Sequence, residues 1–366
     1  MRLLSTGGKP IELTEDRIDR LYHETEHPSR LEIRPYVDTK GMERGEDFLE
    51  DIHDTLGTGR KGGTFSFEWW FRDQLTVQIT AADGEDLSDI HSLVNSKYAN
   101  SRMETYHDPL PDAKVGEFVS VCRLTLQLDA IHPLSYRGSK GDPLNGDPYS
   151  SVLPKFVNEK EVRLIVQGCG KPISSKWYKR GKLGAGGDAI ADSTKQGSLE
   201  IGLRQADTKV VQSDLNEQLA KDMQDQVSDE TFRTTIRLMV IGPDKDDVQS
   251  VLTKAAESYS KYDYANKQKL RPQHLKHTAI VNEAEDLVRR RVRKRSPVAR
   301  MLHGTKNAMT IREWEGLFHI PNADIEVPDV KWATRESGPG VPRESHTFGA
   351  DLDLDSDDAN QQEAGS

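Results

Sequence analysis

The stretch TFSFEWWFRDQLTVQIT, residues 64–80, decides the fold. Phe65, Phe67, Trp69 and Phe71 alternate with Ser66, Glu68 and Trp70, and Leu75, Val77 and Ile79 alternate in the same way. An apolar period of two belongs to strands, whose successive side chains point to opposite faces. The Arg72, Asp73, Gln74 break between the two runs is short enough for a hairpin. Just upstream the period is 3.6: Phe48, Leu49, Ile52 and Leu56 share one face of a helix expected over 46–56, with Gly57 as its stop. A shorter helix is expected over 14–24, with Thr14 as N-cap and Glu15 and Asp16 in the first turn, where the helix dipole favours acids.

Downstream of the hairpin the order of elements is informative. A helix over 85–98 carries Leu87, Ile90, Leu93 and Val94. A short strand follows at 101–106, then a long one in which Cys122, Leu124, Leu126 and Leu128 share a face. Asp147 and Pro148 read as N-cap and first residue of a helix reaching 157, and Val162, Leu164 and Val166 alternate in a strand at 161–167. The succession β-α-β-β-α-β predicts an α+β protein built on a ferredoxin-like split unit, its sheet extended by the strand at 65–71. The Gly-rich segment 179–197 reads as a linker or loop. After it come a polar helix over 207–227 and a strand where Phe232, Thr234, Ile236, Leu238 and Val240 alternate against Arg233 and Arg237. A helix over 245–261, an amphipathic one over 278–295 and a last one over 310–318 complete a second, degenerate α+β unit. The expected division is therefore 1–60, an N-terminal helical segment; 61–178, the first α+β domain; 179–197, the linker; 198–335, the second; and 336–366, a disordered acidic tail.

Composition narrows the function classes. Sixty acids against 50 bases leave a net charge of -10 in 366 residues, which disfavours nonspecific contact with nucleic acid or anionic lipid. Six of the acids and no base lie in 351–366. Mean hydropathy is -0.70, low for one large core. Two cysteines, Cys122 and Cys169, argue against a disulfide framework or a thiolate metal site and for a reducing compartment. The N-terminus lacks a signal-peptide core, and no run reaches the about 18 apolar residues of a membrane span. The expectation is a cytoplasmic protein with no direct membrane insertion, peripheral at the inner face of the membrane only through a partner.

No motif gives a catalytic centre. Gly57, Gly59 and Gly62 satisfy a dinucleotide pattern, but they follow a helix and open a strand, the reverse of a phosphate-binding turn, and Gly63 stands where a P-loop needs lysine. A helix cap and loop is the better reading. The histidines are scattered, and His274 with His277 is too little for a metal site. Cys169 lacks a nucleophile's frame. No catalytic residue, metal or cofactor is expected. One dense basic run exists: Arg289, Arg290, Arg291, Arg293, Lys294 and Arg295. It fits contact with DNA phosphates or an acidic partner, and equally a solvated helix end matched to the dipole.

Four segments carry a resemblance. FSFEWWFRDQLTVQI (65–79) resembles the first sheet of the N-terminal region of FtsK/HerA-type ATPases of type IV secretion and conjugation. VRLIVQGCGKPISSKW (162–177) is similar to that region's closing strand, with Gln167, Pro172 and Trp177 at its marked positions. FRTTIRLMVIG (232–242) is similar to its second-unit strand. MTIREWEGLFHIP (309–321) is similar to its terminal element, with Leu317, His319, Ile320 and Pro321 in place. In that family the element leads into a motor with Walker motifs. Nothing of that kind follows Pro321 here, and too few residues remain for one. The resemblance therefore implies a non-catalytic adaptor, not an enzyme, acting on a separate FtsK/HerA-like motor ATPase. Trp314, Leu317, Phe318, His319 and Pro321 are the expected partner-binding joint. A nucleic-acid-binding module using 289–295 is the alternative, and homo-oligomerisation is compatible with either.

Overall fold

The hairpin expected at 64–80 forms, and it lies in the interior of a large sheet. The computed structural model describes residues 8–21, 30–36, 39, 44–58, 62–72, 74–81, 87–99, 101–106, 113–134, 161–174, 221–223, 225–226, 229–263, 268–293, 306–321, 330, 331 and 333. Its strands are β1 (Ile11–Glu12), β2 (Arg30–Pro35), β3 (Phe65–Phe71), β4 (Leu75–Ala81), β5 (Ser101–Tyr106), β6 (Phe118–Leu126), β7 (Arg163–Ile173), β8 (Thr231–Gly242), β9 (Leu270–His274) and β10 (Ala308–Thr310). They form one sheet in the order β1-β6-β8-β7-β3-β4-β2-β5, with β9 also on β6 and β10 also on β8. All these pairings are antiparallel. The helices are α1 (Glu15–Leu21), α2 (Gly45–Leu56), α3 (Leu87–Lys97), α4 (Lys245–Ser258), α5 (Thr278–Val288) and α6 (Ile311–Leu317). The α+β class stands.

The topology corrects the finer expectation. A split β-α-β-β-α-β unit would set the strand at 161–167 beside the one at 74–80. Here β3 separates β7 from β4, and β8 separates β7 from β6. The expected division of the fold on either side of 179–197 does not divide the sheet either, because β8 pairs with β6 on one side and β7 on the other. The reason lies in β8 itself. Phe232, Ile236, Leu238 and Val240 are buried on one face, and Met239 and Ile241 on the other. A strand apolar on both faces needs both covered, which only the interior of a sheet supplies. The helix expected at 147–157, the linker 179–197 and the tail 336–366 lie outside the described residues; of the helix at 207–227, residues 221–223 and 225–226 are described and helical.

Strand alternation sorts the core into two layers. Phe65, Phe67, Trp69, Val77, Ile79, Leu124, Leu164, Val166 and Leu238 face α2, α3, α4 and α6. Trp70, Val119, Val121, Ile165, Met239 and Ile241 face the other way, onto α1 and α5.

A polar row crosses this second face at a single register. Glu104, Glu32, Gln78, Glu68, Gln167, Arg237, Arg123 and Gln273 stand opposite one another across eight strands. Like charges directly opposite destabilise a sheet, and each such pair here is bridged. Arg34 donates to Glu32 (2.8 Å) and Glu104 (2.6 Å). Glu283 of α5 accepts from Arg237 (2.7 Å) and lies 3.4 Å from Arg123. At the centre Glu68, 1% exposed, accepts from Ser66 (2.6 Å), Trp70 Nε1 (2.8 Å) and Gln167 (2.9 Å). Burial alone would push this carboxyl up. Arg290, Ser66, Gln167 and Trp70 outweigh that and hold it below its ordinary value.

Arg290 reaches Glu68 because α5 stops early. The helix ends at Val288 instead of 295, through hydrogen bonds from Arg290 N–H to Leu287 O (3.0 Å) and Arg291 N–H to Asp286 O (2.9 Å). With φ +49° at Arg290, this is the Schellman arrangement, with arginine where glycine is usual. The left-handed conformation costs a side chain about 1 kcal/mol. It aims the guanidinium inward, 3.4 Å from Glu68 in ion-pair contact without hydrogen-bond alignment. Removing one partner of a buried pair costs about 3–5 kcal/mol. Arg290→Ala is therefore expected to destabilise by that amount in denaturant unfolding. Arg290→Gly, which relieves the backbone, should cost about 1 kcal/mol less; equal losses would refute the strained-cap reading.

Candidate functional site

The expected joint begins with a well-made helix start. Thr310 caps α6 in a capping box: Glu313 N–H donates to Thr310 Oγ1 (3.3 Å), and Thr310 N–H donates to Glu313 Oε2 (3.1 Å). Glu313 Oε1 also accepts from Leu134 N–H (2.8 Å), so this carboxyl ties α6 to the segment after β6. Burial pushes Glu313 up to about 7, against hydrogen bonds from Leu134, Thr310 and Gln226 that favour the charged form.

Two glycines of β7 make the seat for α6. A Cβ on Gly168 would lie 2.5 Å from the Phe318 ring, and one on Gly170 would lie 2.7 Å from Phe65 and 3.1 Å from Trp314. The missing side chains let Trp314 pack at 5.1 Å from Phe65 and 4.9 Å from Phe318, ring centre to ring centre. Trp314 Nε1–H donates to Thr234 Oγ1 (2.7 Å), satisfying the one polar atom that this burial strands. Tyr262 donates to Gly316 O (2.8 Å). His319 sits edge-on to Trp69 at 6.3 Å, its Nδ1 2.9 Å from Glu315 O.

This placement corrects the joint's expected role. Trp314, Leu317, Phe318, His319 and Pro321 are all buried in the protein's own core. They dock α6 on its own sheet and present no surface to a partner. Beyond residues 322–329, which lie outside the described residues, the chain is fastened again. Val330 bridges Leu75 in parallel, Lys331 N–H donates to Leu75 O (3.0 Å), and Ala333 N–H donates to Pro35 O (2.9 Å). Lys331 Nζ adds a bond to Glu32 (2.8 Å).

The basic run is not one exposed cluster. Arg290 is buried on Glu68, Arg289 pairs with Glu285 (3.4 Å) and Arg291 with Asp286 (3.5 Å). Arg293 N–H donates to Thr235 (2.9 Å), and Lys294 and Arg295 lie outside the described residues. The arginines 289–291 thus serve α5 and the sheet. The glycine loop closes a helix end, as expected: Gly57 takes φ +66° at the end of α2, and Gly63 N–H donates to Leu56 O (3.0 Å). Cys122 and Cys169 are buried, which pushes both thiols up to about 12. No helix among the described residues is long and apolar enough to cross a membrane.

Sequence reasoning passed over the acidic face of α2, where Glu50, His53 and Asp54 recur at helical spacing, and Glu230 just before β8. Nothing in linear order joins those two segments. Residues 4–333 match the family described as a domain of unknown function (DUF8128). No curated protein matches the chain.

Two measurements check the seat. Gly168→Ala is expected to lose about 1–3 kcal/mol by overpacking, and Phe318→Leu in the same chain should recover part of it. For Glu313 the folded value of about 7 exceeds the ordinary 4.5. The stability it contributes is thus fully present below 4.5 and lost as pH rises through 7. The thermal midpoint should show this fall in the wild type and a flatter profile in Glu313→Gln.

Proposed function

The chain belongs to the DUF8128 family, a domain of unknown function, and on that premise we propose that it is a non-catalytic assembly module. It acts by protein–protein contact with a separate motor ATPase of the FtsK/HerA type, in the cytoplasm, and meets the inner face of the membrane only through that motor. The supporting observation is the fastened exit. A seven-residue helix is marginal alone, yet α6 is held by a capping box and a glycine-lined aromatic seat, and the chain is tied down again at Lys331 and Ala333. Such a double attachment suits a body that must keep a fixed orientation against a moving partner. The buried joint contributes from inside, by setting where the exit runs, while the contact surface lies around the strap at 330–333. The nucleic-acid reading is the weaker one, since Arg290 is buried and Arg289 and Arg291 are engaged by neighbouring acids.

Full-length protein mixed with a purified motor ATPase of this type is expected to co-elute with it and to hydrolyse no ATP alone. Lys331→Glu sets a carboxylate against Glu32 and frees the strap without touching the α6 seat. It should weaken co-elution about tenfold, ~1.4 kcal/mol, with the thermal midpoint near wild type. ATP hydrolysis that a substitution in this chain abolishes would end the proposal. Retention on DNA that falls steeply with salt, and is lost with Arg289→Ala, Arg291→Ala and Arg293→Ala together, would put the nucleic-acid reading in its place.

A further inference from the structure

At the C-terminal end of α2 an imidazole is buried against a concentration of acids. Glu50, His53 and Asp54 fall at i, i+3 and i+4 and so share one helix face. Glu230, the residue before β8, approaches from the sheet. His53 is 6% exposed and packs edge-on to Phe232, with ring centres 5.3 Å apart. Its Nδ1 points at two carboxylates, 3.2 Å from Glu230 Oε2 and 3.9 Å from Asp54 Oδ1. Neither contact is aligned as a hydrogen bond, and neither ring nitrogen has a hydrogen-bond partner. A buried imidazole left in that state costs free energy unless something outside the chain completes it.

The distribution of cations sharpens the point. Arg312 takes Glu46 (2.9 Å) and lies 3.7 Å from Asp229, while Lys97 takes Asp51 (2.9 Å). Among the described residues no lysine or arginine pairs with Glu50, Asp54 or Glu230, the acids around His53. Burial, then Glu46, Asp47, Glu230 and Asp51, raise the Glu50 carboxyl.

We propose that His53, Asp54 and Glu230 bind a divalent first-row transition-metal ion. One ligand atom from each of the three already lies within 4.8 Å of the other two. Ligands of such an ion stand about 2.0–2.2 Å from it, so rotation of the two exposed carboxylates closes the shell around a fixed imidazole. One nitrogen and two carboxylate oxygens suit zinc or manganese better than calcium or magnesium, which favour oxygen alone. Asp54 and Glu230 have side chains 83% and 46% exposed. The outer side is therefore open to water, and Glu50 on the same face is placed to accept from that water. The ion fastens the end of α2 to the start of β8, two elements that the sequence separates by nearly half the chain. This inference does not depend on the adaptor reading.

The test uses full-length protein stripped with EDTA and titrated calorimetrically with zinc chloride, then with manganese chloride. One equivalent of zinc is expected to bind and to raise the thermal midpoint. Asp54→Asn and Glu230→Gln, both on exposed side chains, should each weaken binding about tenfold or more while leaving the metal-free midpoint near wild type. Asp47→Asn, on the same helix but outside the cluster, should change nothing. His53→Gln should abolish binding; if it fails to fold, the two carboxylate variants still decide. Zinc and manganese binding that are both absent at 100-fold excess over protein, or zinc binding unchanged by Asp54→Asn and Glu230→Gln, would overturn the proposal. The second result would assign the ion to another acidic stretch, such as 351–358.

Discussion

The structure depends on the ion pair of Glu68 with Arg290. An ionised carboxylate in the middle of a sheet is among the costliest groups to bury, and this one is held charged by a guanidinium delivered from the far end of a helix. Ser66, Trp70 and Gln167 donate to it as well, so both of its oxygens are engaged. The pair also fixes geometry. Gln167 donates to both Glu68 and Leu287 O, and Arg237 donates to both Glu283 and Arg291 O. The C-terminal end of α5 is thereby registered on β3, β7 and β8 to within a hydrogen-bond length. Apolar packing alone would let the helix slide; the polar row lets it sit in one place.

The opposite face works by shape. There the sheet offers aromatic side chains on β3 and bare backbone on β7, and α6 inserts Trp314 and Phe318 into the space that Gly168 and Gly170 leave. A short helix gains from neighbours what it lacks in length. One face of the sheet is thus specified by charge and the other by volume, and the two meet in the same strands.

Much of this was legible beforehand. The hairpin, the period-two runs of β6, β7 and β8, the face of α2 with its glycine stop, and the position of α6 all follow from local signals, and each is seen. What was not legible is long-range. The alternation of β8 read as part of a second unit, because its place beside β6 is set by pairing across more than a hundred intervening residues. The basic run read as surface charge because nothing local reveals that Arg290 turns left-handed, or that a glutamate two hundred residues earlier waits for it. Gly168 and Gly170 drew no reading of their own, since a glycine kept small for a distant phenylalanine looks like any other. His53 went unremarked for the same reason: its partners lie on separate segments. Local periodicity encodes elements, and burial of polar groups encodes their arrangement, but only the first repeats along the chain.

The central position of β8 has a consequence for how the protein is made. A ribosome delivers residues 1–230 before that strand exists, so the facing edges of β6 and β7 emerge with their ladder of amide and carbonyl groups open. Neither half-sheet can close early, and Glu68 must wait still longer for its arginine. Nascent chains stalled before residue 231 should therefore be the ones that chaperones hold. Completion is a late, cooperative event in which one strand joins two waiting halves.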